Sequence, residues 1–216
     1  MNVPSNKQPI ILIGGGGHCI SVIDVIERTG LYEIKGILDL PEKVGNKILN
    51  IPIIGTDEDI KNVIKECNNF HITVGQIKSP AIRENIFSRV KELNGNLPVL
   101  ISPYAYVSPY AKIDEGTVIM HQALVNAKAS VGKACIINSK ALIEHEAAVG
   151  DFCHISTGSI VNGQSKVGSR TFIGSNTVVS NNIDIVENTV VGAGSQVIKS
   201  ITVPGVYSSD LLKKIR

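Results

Sequence analysis

The sequence contains no tryptophan, and aromatic residues make up only 4% of its 216 positions. A hydrophobic core must therefore be built mainly from aliphatic side chains. The four cysteines, Cys19, Cys67, Cys135 and Cys153, lie far apart and form no CxxC pair. This spacing is typical of reduced thiols and argues against a disulfide framework or a zinc knuckle.

Long apolar runs and strongly basic segments are also missing. The formal net charge is only +2, and no cluster of Lys and Arg stands out, so we expect no binding to nucleic acid. Residues 1–9 contain Asn, Lys and Pro and precede only four consecutive aliphatic residues, so they have neither a signal-peptide core nor a membrane span. These absences predict a cytoplasmic protein without a membrane partner.

The first half of the chain alternates between two kinds of segment. Apolar runs at residues 10–13, 34–38 and 70–74 alternate with stretches of helical character at residues 21–28, 57–66 and 81–93. This is the βαβ pattern of a parallel sheet flanked by helices. We predict a small Rossmann-like α/β domain over residues 1–98 and a second domain over residues 99–216.

The second half repeats with a period of six. Every sixth residue from Ile101 to Val203, eighteen positions in all, is Ile or Val, and the residue two before it is mostly small. Neither an α-helix nor a simple strand has this period, so each hexapeptide is interpreted as one short strand plus one turn. Residues two apart in a strand share a face, so both sets should line one interior. The expected turn positions often carry Gly or Asn: Asn126, Gly132, Asn138, Gly150, Asn162, Gly168, Gly174 and Gly192.

This pattern resembles the hexapeptide repeat of left-handed parallel β-helices, in which three hexapeptides form one coil. The resemblance implies a triangular prism of about six coils that share one core. It also implies a homotrimer, with sites in the clefts between neighbouring prisms. Since Ile and Val fill the interior, we expect the chemistry to take place outside the prism.

Residues 143–155 are the most unusual segment of the repeats, because they contain two histidines and three carboxylates. His145, next to Glu144 and Glu146, is a candidate general base, although an exposed turn histidine is the simpler interpretation. His154 lies between inward-facing Cys153 and Ile155 and should point outward, so we expect both imidazoles to be exposed to a cleft. The two histidines are half a coil apart, so a site that uses both would span two subunits.

Residues 138–155 resemble the catalytic coil of bacterial sugar acetyltransferases, a family of nucleotide 4-amino sugar N-acetyltransferases and sialic acid O-acetyltransferases. The resemblance implies that His145 is the base, that Glu146 modulates it, and that the amine attacks acetyl-CoA directly. It also implies acetyl-CoA contacts and further substrate contacts, and no metal. The acetyl-CoA residues would be His154, Gly163, Ser175 and Ala193, and the substrate residues Asn138 and Glu144. Independently, the inward register of Cys153 argues against a nucleophilic cysteine.

The loop from Gly14 to His18 follows the first apolar run and precedes a helix, as a phosphate-binding loop does. It is not a full GxGxxG fingerprint, because position 19 is Cys. Asp39 is placed to bond a sugar hydroxyl or simply to form a turn. The family resemblance implies that this domain binds a UDP-sugar through Gly16, Gly17, His18, Asp39, Gly75 and Gln76.

We therefore predict an acetyl-CoA-dependent N-acetyltransferase that acts on a nucleotide-linked, UDP-type amino sugar. O-acetylation of a sialic-acid-like sugar is the alternative within the same chemistry. A metal hydratase using His121, His145 and His154, and a non-catalytic nucleotide-sugar sensor, are the other readings. The C-terminus lacks the family's Gly-x-Pro-Ala-Lys/Arg tail, which leaves Lys213, Lys214 and Arg216 as candidates for contacts with the coenzyme phosphates.

Overall fold

A computed structural model describes residues 7–209, in which a small α/β domain is followed by a triangular prism of stacked coils. The tail lysines and arginine named above, Lys213, Lys214 and Arg216, lie outside the described residues. The α/β domain contains, in chain order, β1 (Gln8–Ile13), α1 (Gly17–Thr29), β2 (Tyr32–Leu38), β3 (Lys47–Ile48), β4 (Ile51–Gly55), α2 (Ile60–Val63), β5 (Phe70–Ile72) and α3 (Ala81–Glu92), with 3₁₀ turns at Pro41–Lys43 and Asp57–Asp59.

The sheet of this domain has the order β3-β4-β2-β1-β5. Strands β4, β2, β1 and β5 are parallel, as expected, whereas β3 pairs with β4 in the antiparallel direction at the edge. The sequence analysis missed β3 and β4, and it predicted a helix over residues 57–66. Instead, Thr56 and Asp59 form a capping box around a 3₁₀ turn, and the α-helix that follows is a single turn.

The prism consists of eighteen two-residue strands. Along most of the prism, each strand pairs in parallel with the strand eighteen residues further on. The strands are β6 (Leu100–Ile101), β7 (Tyr106–Val107), β8 (Lys112–Ile113), β9 (Val118–Ile119), β10 (Leu124–Val125), β11 (Ser130–Val131), β12 (Ile136–Ile137), β13 (Leu142–Ile143), β14 (Ala148–Val149), β15 (His154–Ile155), β16 (Ile160–Val161), β17 (Lys166–Val167), β18 (Phe172–Ile173), β19 (Val178–Val179), β20 (Asp184–Ile185), β21 (Val190–Val191), β22 (Gln196–Val197) and β23 (Val206–Tyr207).

These strands form three parallel sheets of six, five and seven strands. The interior is filled by the six-residue series of Ile and Val together with the small residues two positions earlier, as predicted. The chain therefore has the left-handed parallel β-helix with an N-terminal α/β domain that the sequence indicated.

The corners of the prism differ from expectation in one respect. The left-handed backbone conformation recurs every six residues from Gly116 to Gly194, and most of the residues that adopt it, including Glu146 at φ 59°, are not glycine. The predicted turn glycines lie two residues before these positions and are needed for close approach instead. A Cβ on Gly174, for example, would lie 2.4 Å from the backbone nitrogen of Ala193 in the next coil.

The last coil also departs from the period of six. Val203 was expected to face inward, yet it is 63% exposed. After Val197 the chain shortens by two residues, so that Val206 pairs with Val190 and Ile201 with Ile185. The regular repeat consequently ends at Val197, one repeat before the sequence pattern does.

The α/β domain packs on the seven-stranded sheet of the prism. The apolar side of α1, with Cys19, Val22 and Ile26, joins Val118 and Ile136 of the prism in one buried cluster. Burial of this shared surface fixes the orientation of the two domains. Within residues 7–209, no helix is both long and apolar enough to cross a membrane.

Candidate active site

The predicted site residues of the prism fall on two different corners. We call the stacked turns at residues 144–147, 162–165 and 180–183 the base corner, and those at residues 138–141, 156–159, 174–177 and 192–195 the donor corner. Backbone hydrogen bonds hold each stack in register, such as Gln164 N–H to His145 O at 3.1 Å and Gly194 N–H to Ser175 O at 2.8 Å. The two corners lie at opposite edges of the six-stranded sheet.

His145 projects from the base corner with its side chain 55% exposed. Its Nδ1 lies 3.7 Å from Glu146 Oε2, and its backbone N–H donates to Glu144 Oε2 at 3.1 Å. Hydrogen bonds from Gln164 and from Lys128 hold the pKa of Glu146 below its ordinary value, so this carboxylate is ionised beside the imidazole. An accessible imidazole next to a carboxylate is suited to remove a proton.

Gly163 determines where the imidazole of His145 can lie. A Cβ at Gly163 would come within 2.7 Å of His145 Cε1 and 2.8 Å of His145 Nε2. The imidazole therefore rests directly over the Gly163 backbone. Gly163, predicted to contact acetyl-CoA, thus lies at the base corner and shapes the surroundings of His145.

His154 is placed differently from the prediction. It does point away from the prism interior, but the α/β domain covers it, so the residue is only 9% exposed, and the expectation that it faces a cleft is wrong. Its Nδ1 lies 2.7 Å from the backbone carbonyl of Gln76, and Phe172 packs against its edge. Burial lowers the pKa of His154 to about 4, with a further lowering from Arg83 that the Gln76 carbonyl opposes, so the imidazole is neutral at pH 7.

Asn138 and Gln76 complete the surroundings of His154. Asn138 Nδ2 lies 3.2 Å from His154 Nε2, while Gln76 Nε2 donates to the Phe152 carbonyl at 2.8 Å. Gln76 is only 3% exposed, and its side chain is directed at the prism. The Gln76 side chain therefore binds at the domain junction, and a contact of the Gly75–Gln76 turn with substrate stays a prediction.

A buried guanidinium joins the two domains beside this group. Arg83 of α3 is 1% exposed and donates to the carbonyls of Val74 in the α/β domain and Ala134 in the prism. Burial lowers the pKa of Arg83 to about 10, which leaves it positively charged at neutral pH. The pKa values of His18 and His71 are both lowered to about 3, mainly by burial and further by the Arg83 charge. Sequence reasoning missed Arg83, because a single arginine in an amphipathic helix carries no signal of burial.

The loop between β1 and α1 opens at the carboxyl edge of the sheet, where parallel sheets bind ligands. A Cβ on Gly16 or Gly17 would meet no atom within 4 Å, so this loop leaves space for a ligand. His18 follows at the start of α1, with a buried Nε2 that has no hydrogen-bond partner. The Gly75–Gln76 turn is next to it, since a Cβ on Gly75 would lie 3.9 Å from His18 Cβ.

Asp39 lines a neighbouring cavity of about 430 Å³ at the same edge of the sheet. Its carboxylate accepts hydrogen bonds from the Gly15 and Leu40 backbone N–H groups and from Lys43 Nζ, all within 3.0 Å. Thr56 and Asp57, which follow β4, also line the cavity, and burial raises the pKa of Asp57. The sequence analysis missed these two residues because it missed β4, although the apolar run before Gly55 is a strand signal.

Within one chain, then, the predicted residues form two groups. The first group lies where the loop at residues 14–18, called the sugar loop below after its predicted ligand, adjoins the donor corner. It comprises Gly16, Gly17, His18, Asp39, Gly75, Gln76, Asn138, His154, Ser175 and Ala193. The base corner holds the second group, which comprises Glu144, His145, Glu146 and Gly163. Ser175 is tied to the coil before it through Ser156 Oγ at 2.9 Å, and Ala193 is exposed one coil further along the same corner.

The remaining candidate groups have structural surroundings. All four cysteines are buried and free, and Cys153 lies in the core of the prism, which confirms its inward placement. Burial raises the pKa of the Cys153 thiol far above its ordinary value. His121 is engaged by Ser102 Oγ at 2.6 Å and Asp24 Oδ2 at 2.7 Å. Among residues 7–209, no three His, Cys, Asp or Glu side chains are grouped so that they could hold a metal ion.

Both the N-terminal domain and the whole fold resemble known proteins. Residues 9–90 match the family model described as the PglD N-terminal domain. The fold matches perosamine N-acetyltransferase from Caulobacter crescentus in complex with CoA and GDP-perosamine, with a TM-score of 0.85, 25% identity, and 95% of this chain and 96% of that chain covered. It also matches the acetyltransferase domain of PglB from Neisseria gonorrhoeae in complex with acetyl coenzyme A, with a TM-score of 0.86, 27% identity, and coverage of 94% and 97%.

The chain is an acetyltransferase. WeeI from Acinetobacter baumannii, at 17% identity and a TM-score of 0.80 over 90% of this chain and 93% of that chain, shares the fold. No curated protein sequence matches the chain. The matched structures extend over both domains, so the acetyltransferase architecture includes the α/β domain as well as the prism.

Proposed function

We propose that this acetyltransferase uses acetyl-CoA to N-acetylate an amino sugar linked to a nucleoside diphosphate. The main support for this proposal is the position of His145. It is exposed beside an ionised Glu146, on a fold shared with acetyltransferases that bind CoA and, in one case, GDP-perosamine. The open glycine loop at the start of α1 supports a diphosphate ligand, because helix N-termini favour anions.

His145 acts as the general base in this proposal. The sugar amine must lose a proton to expose a lone pair, which attacks the thioester carbonyl carbon directly. The C–S bond then breaks, and the nitrogen loses a second proton, which neutralises the leaving thiolate to give the thiol of coenzyme A. The proton first taken up by His145 passes to solvent. Glu146 stabilises the imidazolium that forms, which is the role of a carboxylate beside a catalytic histidine.

The donor corner would hold acetyl-CoA. Ser175 and Ala193 lie two coils and three coils beyond Ser139 along this corner, so they form a straight track for an extended arm. The first turn of the track carries Asn138, whose amide reaches His154. Aligning donor and acceptor in this way supplies a large part of the rate enhancement in two-substrate reactions.

A complete site would then require two chains. His145 and the donor corner lie at opposite edges of one sheet, whereas the donor corner and the sugar loop lie together. A homotrimer, in which the base corner of one chain faces the donor corner of its neighbour, would unite all three.

The UDP form is our proposed nucleotide, and GDP is its direct competitor, given the GDP-perosamine bound by the Caulobacter relative. The cavity at Asp39 and Asp57 suits either nucleotide, because its carboxylates accept hydrogen bonds from base N–H groups and from ribose hydroxyls. The alternative acceptor, a sialic-acid-like sugar, would receive the acetyl group on oxygen.

One assay tests the proposal. The purified protein is incubated with acetyl-CoA labelled in the acetyl group and, separately, with a UDP-amino sugar, a GDP-amino sugar, and a free or CMP-linked nonulosonic acid. We expect label in an amide of a nucleotide-linked sugar. Label found only in the nonulosonic acid would overturn the proposal in favour of O-acetylation.

The variant His145→Gln tests the base. Since a positioned base contributes about 10²- to 10⁴-fold to the rate, kcat should decrease by a factor of this size. The thermal midpoint should hardly change, because the side chain is exposed and packs little. Retention of full activity by His145→Gln would remove the imidazole from the mechanism.

A further inference from the structure

The buried network around His154 fixes the position of every proton in it. The Gln76 carbonyl can only accept a hydrogen bond, so His154 Nδ1, at 2.7 Å from it, must carry the proton. Asn138 Oδ1 accepts the Ser139 backbone N–H at 2.8 Å, which orients the amide and leaves Nδ2 as the donor to His154 Nε2. His154 is therefore a neutral imidazole whose Nε2 presents a lone pair.

The Gln76 side chain holds this arrangement from the other domain. Its Nε2 donates to Phe152 O, two residues before His154 along the same coil. Its backbone carbonyl and side-chain amide thus bind the coil at two points, and Phe152 packs edge-to-face on Phe87 of α3 at 5.4 Å. The hydrogen bond at Nδ1 is buried, whereas the one between Nε2 and Asn138 is partly exposed, so Nε2 is the side of the ring that a ligand can reach.

We propose that the Gly75–Gln76 turn of the α/β domain locks His154 as the Nδ1–H tautomer, so that Nε2 accepts an amide N–H of the pantetheine arm of acetyl-CoA. Gln76 is a positioning residue of the donor site, and not a sugar ligand. The proposal rests on the proposed function for the identity of the donor. It deepens that function, because one turn borders both the sugar loop and the residue that orients the acetyl donor.

The chemistry of the donor explains why the tautomer matters. The thioester oxygen needs hydrogen-bond donors, whereas the amide N–H groups of the pantetheine arm need acceptors. With its proton held at Nδ1, His154 can only accept a hydrogen bond at Nε2. When the pantetheine N–H takes the place of Asn138 there, Asn138 Nδ2 becomes free to donate to the thioester oxygen. The charged and titratable groups around His154 are Arg83 and His18, and the Arg83 charge further disfavours protonation of Nε2.

The test compares Gln76→Met with the wild type in the full-length protein. Methionine keeps the length of the side chain but cannot donate to Phe152 O. Nitrogen NMR of protein labelled in histidine reports the tautomer of His154, and five histidines are few enough to assign by single substitution. Gln76→Gly, which also loosens the backbone, is the second variant. Gln8→Ala, an exposed glutamine at the start of β1, is the matched control.

In the wild type and in Gln8→Ala we expect the Nδ1–H tautomer alone. Both Gln76 variants lose the bond that anchors the turn to Phe152, so the residue 76 carbonyl should move away from Nδ1 and we expect a mixture of tautomers. The dissociation constant of acetyl-CoA, measured by calorimetry, should rise about tenfold, as for one lost hydrogen bond. A lower thermal midpoint with an unchanged tautomer and an unchanged dissociation constant would overturn the proposal. A locked tautomer and bound coenzyme A without acetyl transfer to any nucleotide sugar would instead contradict the proposed function and leave the lock intact.

Discussion

The imidazole of His145 lies over Gly163, so the position of the proposed base depends on the absence of a side chain at residue 163. The imidazole occupies the volume that a Cβ on Gly163 would fill. Because the imidazole is exposed, it can swing away from a new methyl group with little cost to folding. A substitution here should therefore alter catalysis much more than stability.

The variant Gly163→Ala is expected to lower kcat by about 10- to 100-fold, since a shift of about 1 Å in a catalytic group can have an effect of that size. Its free energy of unfolding should stay within about 1 kcal/mol of the wild type. The background His145→Gln supplies the control, because the second substitution should have no further effect once the imidazole is absent. Additive losses in the double variant would show that Gly163 acts independently of His145.

At the scale of elements, the junction between the α/β domain and the prism is unusual because it buries charged and titratable groups. Arg83 binds carbonyls from both domains, and His154 is covered by the Gly75–Gln76 turn. His71 of β5 is fully buried nearby. Both histidines fold as neutral groups with pKa values of about 3 for His71 and about 4 for His154.

The junction should make the protein sensitive to acid. Below the ordinary histidine value of 6.5, the unfolded chain binds protons that the folded state does not, so the free energy of unfolding falls as pH decreases. The stabilisation is fully present above pH 6.5 and is lost as pH falls towards 4 for His154 and towards 3 for His71, by about 1.4 kcal/mol per pH unit for each histidine.

Urea unfolding at pH 7.5 and pH 5.0 measures this loss. His71→Gln should show a smaller difference between the two pH values than the wild type, whatever its absolute stability. His145→Gln, which changes an exposed histidine, should show the wild-type difference. An equal difference for His71→Gln and the wild type would exclude His71 as a source of the acid sensitivity.

At the scale of the whole molecule, the separation of the base corner from the donor corner leads to a test of shared sites. His145→Gln removes the base, and Ala193→Trp fills the exposed donor corner, so each homo-oligomer should be inactive. If each site combines the base corner of one chain with the donor corner of a neighbour, random co-assembly leaves about a quarter of the sites intact. Activity of about a quarter of the wild type in the mixed assembly is the expected result. Failure of co-assembled chains to recover any activity would place the whole site within one chain.

Much of this architecture could be predicted from local sequence. The six-residue series of Ile and Val produces the prism by itself, because inward and outward positions alternate within each two-residue strand. The exposed position of His145 beside Glu146 follows from the same register. The docking face also has a local sequence signal, because Val118 and Ile136 are apolar at outward positions of one sheet, where the α/β domain packs.

His154 shows what local sequence cannot decide. The register requires it to point out of the prism, and it does, yet its burial, its tautomer and its low pKa come from Gln76 and Arg83, which lie 78 and 71 positions earlier in the chain. The sequence by itself determined the prism and the direction of most of its side chains, because these depend on short-range periodicity. Only the tertiary structure decided which outward-facing groups are covered, because that depends on how the apolar side of α1 docks against one of three sheets.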